Sequence, residues 1–521
     1  MKRNHVLRKN LVGGIILMFV VTCIIPAVAQ NTMKPMPALK GHWLYVGGSG
    51  PGNYTKIQDA INTASDGDTV YVYNDSSPYL EDLVITKSLL LLGEDEATTI
   101  IQGTTSHFNI QVKADDVTIS GFTCQENWYS MGIIIYGNNS RIMGNTIKNT
   151  SLSISETYQS SGNFIAHNTI IQNGYGLKLY SSNTTFEANT VQGGDSTSLE
   201  VRASSVRIAN NSLTGIEIDG SHNVIVSNNT IAPGYGPMSP GIRFYAPACS
   251  GLSFLGNRLL GCGFEFFDYP PIPPTMTLTF INNSVNGRPF VFLREERGTV
   301  IEDAGQVVLL NCSHITIRNS TIHDVNYGIV LIGTTASIIE GNIISSHDTG
   351  LTLIQSSRNT IQNNSINASE GIYILIGYGN VIRKNSIQNA LDGISLSSLF
   401  FDFSSNQIIH CDLGMYCQFA ILGKIRYNTI KDCEEGIYLE ASLGMRIVSN
   451  TFLNTTYEAE FITSFFNHWR HNYWNQPRVL PKVIHGKVVI PLGFYYAITI
   501  PWVKIDWRPA QEPYDIPRMK S

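Results

Sequence analysis

Charge is scarce in this chain. Only 14% of its 521 residues are charged, and 35 Lys and Arg against 40 Asp and Glu leave a formal net charge of −5. A mildly acidic balance offers no surface for a polyanion, so no nucleic-acid partner is expected. No Cys-x-x-Cys and no Cys/His cluster occurs, so a zinc site is not expected and no metal ligands are assigned. A Gly-rich phosphate loop is missing, and so is a convincing catalytic triad. Beyond the first thirty residues no apolar run is long enough to span a bilayer.

The one long apolar run lies at the start. MKRNHVLRKN is basic, LVGGIILMFVVTCIIP is apolar, and AVA ends at Ala29, which predicts a signal peptide over residues 1–29. An uncleaved anchor is the alternative reading. Cys23 sits inside the apolar run behind Thr22, a weak lipoprotein signal. The mature chain is therefore expected to be secreted or held at the extracellular cell surface, with no membrane span after signal removal. Sequons at Asn53, Asn74, Asn138 and Asn454 make glycosylation plausible there, although doubled turn asparagines inflate their number. Seven cysteines remain. Cys411 and Cys433 lie one repeat apart, which suits either a disulfide or two buried thiols.

What the chain does have is repetition. Residues 371–387 read GIYILIGYGNVIRKNSI and residues 436–452 read GIYLEASLGMRIVSNTF. The asparagine of N-[ST]-[IVLF] recurs at Asn145, Asn168, Asn189, Asn211 and Asn229. It returns at Asn342, Asn364, Asn385, Asn406, Asn428, Asn450 and Asn472, a step of about 22 residues. Gly328, Gly350, Gly371, Gly393, Gly414 and Gly436 keep the same beat. Within each repeat the apolar residues alternate in three short pieces, which predicts three strands and three turns per period. The fold expected is all-β: a right-handed parallel β-helix solenoid with an N-terminal helical cap and a C-terminal aromatic- and Pro-rich cap. The asparagines are expected at sharp turns in the left-handed region, their amides stacking into a ladder.

YTKIQDAINTA, residues 54–64, has helical spacing and suits a cap over the open end of the first coil. The expected organisation is a signal peptide at 1–29, a lead-in with the capping helix at 30–65, the β-helix at 66–475 and a C-terminal cap at 476–521. CGFEFFDYPPIPP breaks the repeat, which points to an insertion at about 262–310.

These residues resemble a known group. YTKIQDAINTASDGDTVYVYNDSSPYLEDLVITKSLLLLGEDEATTII, then VNGRPFVFLREERGTVIEDAGQVVLLNCSHITIRNSTI, then the G-I-x-L…N-x-[ST]-I coils resemble PbH1-repeat proteins of the pectin-lyase-like superfamily. Within it they are most similar to the NosD-like group, also described as carbohydrate-binding and sugar-hydrolysis domains. The resemblance implies the β-helix. It leaves open lyases, hydrolases, epimerases, adhesins and accessory proteins. For NosD itself it implies assistance to a copper site. Copper delivery favours clustered Met, Cys and His, and here the methionines are scattered.

Two constellations carry candidate chemistry. Asp324, Asp348, Glu370, Asp392, Asp412 and Glu435 precede successive glycines and are expected along one edge, ~5 Å apart. Such carboxylates share protons or a cation, which makes calcium the candidate cofactor, or they are good turn residues only. The second is Arg294 and Glu295, with Glu296, Arg297 and Asp303, beside Phe264, Phe266, Phe267 and Tyr269. It reads either as an aromatic wall that grips a sugar chain or as a solvated hairpin. Arg383, Lys384 and Arg426 fall on a different edge from the acids, which speaks against a pectate-lyase-like arrangement. His468 and His471 read as packing groups at the start of the cap, and Trp469, Trp474, Trp502 and Trp507 as its packing. The function expected is binding of a polysaccharide or cell-surface glycan along the solenoid flank. The alternatives are a lyase or glycoside hydrolase, and a copper-handling accessory protein. No residue is assigned as catalytic.

Overall fold

The computed structural model describes residues 41–104, 108–125, 130–171, 174, 176–193, 199–234, 241–245, 248–267, 276–491 and 497–514. The expected signal peptide and Tyr269 lie outside them. The chain coils into a parallel β-solenoid of about 19 turns. Among the described residues the α-helix is Ile57–Thr63, whose Ile57, Ala60 and Ile61 are buried.

Two stacks of coils follow one another. In the first, an 11-stranded sheet runs from Trp43–Val46 to Leu278–Ile281, and a 9-stranded sheet runs from Leu83–Ile85 to Phe264–Phe267. The first sheet opens at Trp43, which pairs in parallel with Thr69, inside the stretch assigned to the lead-in. In the second stack, nine short strands from Val300–Glu302 to His468–Arg470 form one side. Longer strands such as Thr321–Ile332 and Glu370–Tyr378 form the other.

Alternation places one residue of each short strand inside. Ile317, Ile339, Ile361, Ile382, Phe403, Ile425, Ile447 and Trp469 are register partners and all are buried. Such a column fills the axis at the ~4.8 Å coil spacing.

The asparagine ladder exists and is longer than the repeat indicated. Nδ2 of Asn145, Asn168, Asn189, Asn211, Asn229 and Asn257 each donates to Oδ1 of the next rung, ending at Asn283. A second ladder runs from Asn342 to Asn472. One expectation needs correcting: the ladder asparagines are not the left-handed residues. That conformation falls on the residue before, as at His167 (φ 56°), Lys384 (55°) and Tyr427 (54°). The sharp turn swings the asparagine inward, where its amide replaces solvent for the backbone.

The glycine series answers to space rather than to φ. A Cβ on Gly393 would lie 2.6 Å from the Gly414 carbonyl oxygen and 2.7 Å from Cγ2 of Ile408. Gly371 and Gly414 meet the same two walls.

The proposed insertion at 262–310 is mostly ordinary coil. Phe264–Phe267 pairs in parallel with Ile242–Tyr245, and Leu278–Ile281 with Leu252–Leu255. Residues 270–274, which hold the prolines, fall outside the described residues. The real departure is an antiparallel turn, where Ser284–Val285 meets Arg288–Pro289 before the second stack begins. Phe264 is fully buried and its ring centre is 4.2 Å from that of Phe290, while Phe266 packs against the core. These aromatics fill the junction of the two stacks and are not a sugar-gripping wall.

At the far end Lys482–Pro491 and Ala497–Asp506 form an antiparallel hairpin attached to Tyr457–Ile462. Trp469 and Trp474 are buried there, whereas Trp502 and Trp507 are exposed, contrary to their expected packing role. The seven described cysteines are buried thiols, Cys411 and Cys433 among them.

Candidate functional site: an acidic, tyrosine-bearing face

The six acids expected along one edge resolve into three positions. Parallel register makes a column of Thr349, Glu370, Asp392, Leu413, Glu435 and Tyr457, so Glu370, Asp392 and Glu435 share it. Asp348 and Asp412 each sit one residue earlier, beside that column. Asp324 lies further off on a left-handed turn, exposed, with its carboxylate 2.8 Å from His323 Nδ1. The single column was therefore an over-reading, and Glu370 and Asp392 are its tightest pair, with Cα atoms on adjacent coils ~4.8 Å apart. Arg383 and Arg426 lie on the other side of the coil, among the short strands, as their spacing indicated.

Three residues further on, the strands present another row. Thr352, Tyr373, Ser395, Tyr416, Tyr438 and Glu460 make that second row. Ser395 Oγ ties the two rows together, donating to Asp392 Oδ2 at 3.0 Å, and the Tyr416 hydroxyl donates to Glu440, two residues beyond the second row. The Tyr416 and Tyr438 rings are 5.7 Å apart and inclined at 45°.

The face continues across the junction of the stacks. Arg243 grips Glu265 through Nε at 2.9 Å and Nη2 at 2.8 Å, and Asn326 donates to the other Glu265 oxygen. The Tyr327 hydroxyl bonds to Asp348. None of Arg243, Glu265, Asn326 and Tyr327 was singled out in the sequence. The signal was available for the first two: in Gly241-Ile-Arg243-Phe and Gly263-Phe-Glu265-Phe they occupy the outward x of G-I-x-L.

The electrostatics follow from burial and crowding. Burial pushes the Glu370 carboxyl up to about 7, and the charges of Asp392 and Asp348 push the same way against the Ser395 and Thr349 hydroxyls. Burial also raises Glu435, helped by Glu460 and Glu434. At Glu265 burial raises the carboxyl while Arg243 opposes it. Beside the acids, on the turn side, His347, Asn367, Asn389, His410 and Asp412 line a shallow depression.

The second predicted cluster does not join this face. Arg294 Nη1 donates to the Met276 carbonyl at 2.6 Å and its guanidinium lies over the Phe292 ring, while Glu295 is an exposed left-handed turn residue. Asp303 pairs with Arg288 at 2.9 Å. Tyr269 is outside the described residues.

The fold defines the class: a right-handed parallel β-helix, with residues 46–212 matching the family model of the right handed beta helix region. Residues 282–497 match the family model described as periplasmic copper-binding protein (NosD). The chain matches none of the curated proteins. Among solved structures it is similar to the catalytic domain of a GH87 alpha-1,3-glucanase in complex with nigerose, at 12% identity over 75% of this chain and 67% of that one, with a TM-score of 0.35. It is also similar to a pectin methylesterase in complex with a hexasaccharide (15%, 47% and 90%, TM-score 0.32). A third is an alginate lyase from Paenibacillus (14%, 58% and 94%, TM-score 0.27). At such identity the likeness is one of fold alone.

Copper finds no matching donor set. Among the described residues no three His, Cys, Asp or Glu side chains converge as metal ligands, which also leaves calcium without a carboxylate cage. The thiols of Cys249, Cys262, Cys312 and Cys417 are pushed up by burial, away from the thiolate a soft metal needs.

Proposed function

We propose that the protein binds a neutral polysaccharide lengthwise along the face that carries Glu370, Asp392, Tyr373, Tyr416 and Tyr438. The observation that carries this reading is the pairing of two parallel rows at the coil spacing, one holding Glu370, Asp392 and Glu435 and the next Tyr373, Tyr416 and Tyr438. Carboxylates accept hydrogen bonds from sugar hydroxyls, and tyrosine rings offer flat apolar surface to the C–H faces of pyranose rings. The same negative rows repel polyuronates, so acidic polymers are poor ligands. The periplasmic description of the matching family is in keeping with a site of action outside the cytoplasm.

Affinity electrophoresis of the purified chain in gels holding neutral or acidic polysaccharides tests this. Retardation by a neutral polymer is expected, with a loss of about tenfold or more in affinity for the Tyr416→Ala, Tyr438→Ala double variant. Equal migration in every gel, or undiminished retardation of that variant, would sink the reading.

A hydrolytic second reading rests on one observation: Glu370 stays protonated to near neutral pH beside Asp392 on the next coil. Two carboxyl groups on adjacent coils, one of them raised by burial, suit a general acid with its partner. New reducing ends that disappear in Glu370→Gln would favour it, and a polymer bound without new ends would leave a binding face.

A further inference from the structure

Another surface of the second stack is built of different material. At the corner between the long and the short strands, Tyr378, Leu399, Ile421, Leu443 and Phe465 stand in register on five successive coils. One residue further on, Phe400, Leu422 and Phe466 crown the same corner in the left-handed conformation or beside it, and Ile376 and Phe419 flank it before the turn. These side chains are not core residues with an exposed edge. Phe400 is 60% exposed, Phe419 59% and Phe466 74%. The ridge is about 20 Å long at the coil spacing. A run of exposed apolar side chains on that scale marks an interaction surface.

The charges beside the ridge say which kind. The first outward positions of the adjoining short strands hold Asp402, Lys424, Arg446 and His468 in register, and Arg358, Arg383 and Arg470 are exposed nearby. Among the described residues Lys424 and Arg446 have no ion-pair partner, whereas Arg426 is taken by Asp402 at 2.6 Å. On the other side of the ridge the nearest outward residues are Leu375, Ser397, Gln418, Glu440 and Ile462. The one acid among them, Glu440, is engaged by Tyr416 and Gln418.

We propose that this corner docks the protein on an anionic lipid bilayer, the aromatic and aliphatic ridge entering the headgroup boundary while Lys424 and Arg446 meet lipid phosphates. A convex ridge suits that task, because interfacial segments bury their apolar faces only ~5–10 Å deep. Phenylalanines bordered by Lys and Arg are also the composition that membrane interfaces select. Attachment of this kind needs no spanning helix. It leaves Glu370 and Asp392, at the opposite end of the same long strands from the ridge, open to solution.

The test is co-sedimentation of the purified chain with phosphatidylcholine vesicles, with and without phosphatidylglycerol. Binding to the anionic vesicles, weakened by salt, is expected. The Lys424→Glu, Arg446→Glu variant should lower the partition coefficient by roughly tenfold or more. Phe400→Ser, Phe419→Ser should lower it further at unchanged circular dichroism and melting temperature, since both side chains already face solvent. No binding to anionic vesicles would overturn the proposal, as would equal binding by the phenylalanine variant. Concentration-dependent self-association abolished by that variant, without vesicle binding, would assign the ridge to a second copy of the chain instead.

Discussion

Nδ2 of Asn472, the last rung of the second ladder, donates to Oδ2 of Asp506 at 3.2 Å. Asp506 comes from the final hairpin and is fully buried. Its carboxylate also accepts from the backbone of His471, Asn472 and Arg508, and from Trp474 Nε1. It stands where the amide oxygen of one more asparagine would stand, so the hairpin closes the ladder chemically as well as covering the coil.

Asp506→Ala leaves buried donors of Asn472 and Trp474 without an acceptor. A loss on the order of 3–5 kcal/mol is expected. Asp506→Asn keeps an acceptor oxygen in place and should cost less than half as much. Urea midpoints of the two variants, with hydrogen exchange across residues 468–474, separate these outcomes. Equal losses would mean that the hairpin acts by coverage alone.

Gly393→Ala adds one methyl where only 2.6 Å separates the Cβ position from the Gly414 carbonyl and 2.7 Å from Ile408. Both neighbours belong to packed coils that cannot retreat singly, so a loss of roughly 1–3 kcal/mol or more is expected. The paired substitution Gly393→Ala, Ile408→Val keeps a methyl at the Cγ2 position and relieves neither clash. It should recover none of the loss, as read by the thermal midpoint.

Glu156 gives the fold a pH dependence of its own. It is buried on the face of the first stack, where it accepts from Asn163 Nδ2 at 2.9 Å and Thr184 Oγ1 at 2.8 Å. Burial nevertheless raises its carboxyl from 4.5 to about 7. Between those values the unfolded chain has released the proton and the folded chain has not. Stability is therefore highest below about 4.5 and falls as pH rises toward 7, by on the order of 3 kcal/mol for this group. Glu156→Gln should flatten that part of the stability profile in urea titrations. An unchanged slope would mean that the hydrogen bonds from Asn163, Thr184 and the Ser181 backbone hold the carboxylate ionised.

The coil itself was legible because burial repeats: alternation gives strands, and a shared period of asparagine and glycine gives the stack. Asn257 was missed because it is followed by Arg-Leu, and Asn283, in a matching Asn-Ser-Val, because it fell inside the stretch assigned as an insertion. The left-handed residue was misplaced by one, since a backbone turn can be made by whatever precedes the buried amide, even Lys384 or Tyr427. The acids were more legible than the reading made them. Glu370, Asp392 and Glu435 stand one residue before their glycine and share a column, whereas Asp348 and Asp412 stand two before and form another. Offset from glycine is position on the coil. The junction cluster of Arg243, Glu265, Asn326 and Tyr327 was less accessible, because it joins two stacks whose relative register no single repeat encodes.

Glu370 links fold and proposed function in one titration. Its carboxyl is protonated up to about 7, chiefly because it is buried and then because Asp392 and Asp348 surround it with negative charge. As a neutral acid it donates a hydrogen bond to a sugar oxygen; once ionised it only accepts, and it adds a third charge to a crowded edge. Retardation by a neutral polysaccharide should therefore weaken as pH rises through about 7. Glu370→Gln, which cannot ionise and keeps a donor, should bind with little pH dependence and match the wild-type chain at low pH. The comparison needs only affinity electrophoresis at several pH values. A wild-type profile that is flat through this range, or a Gln variant that keeps the slope, would place the titrating group elsewhere on the face.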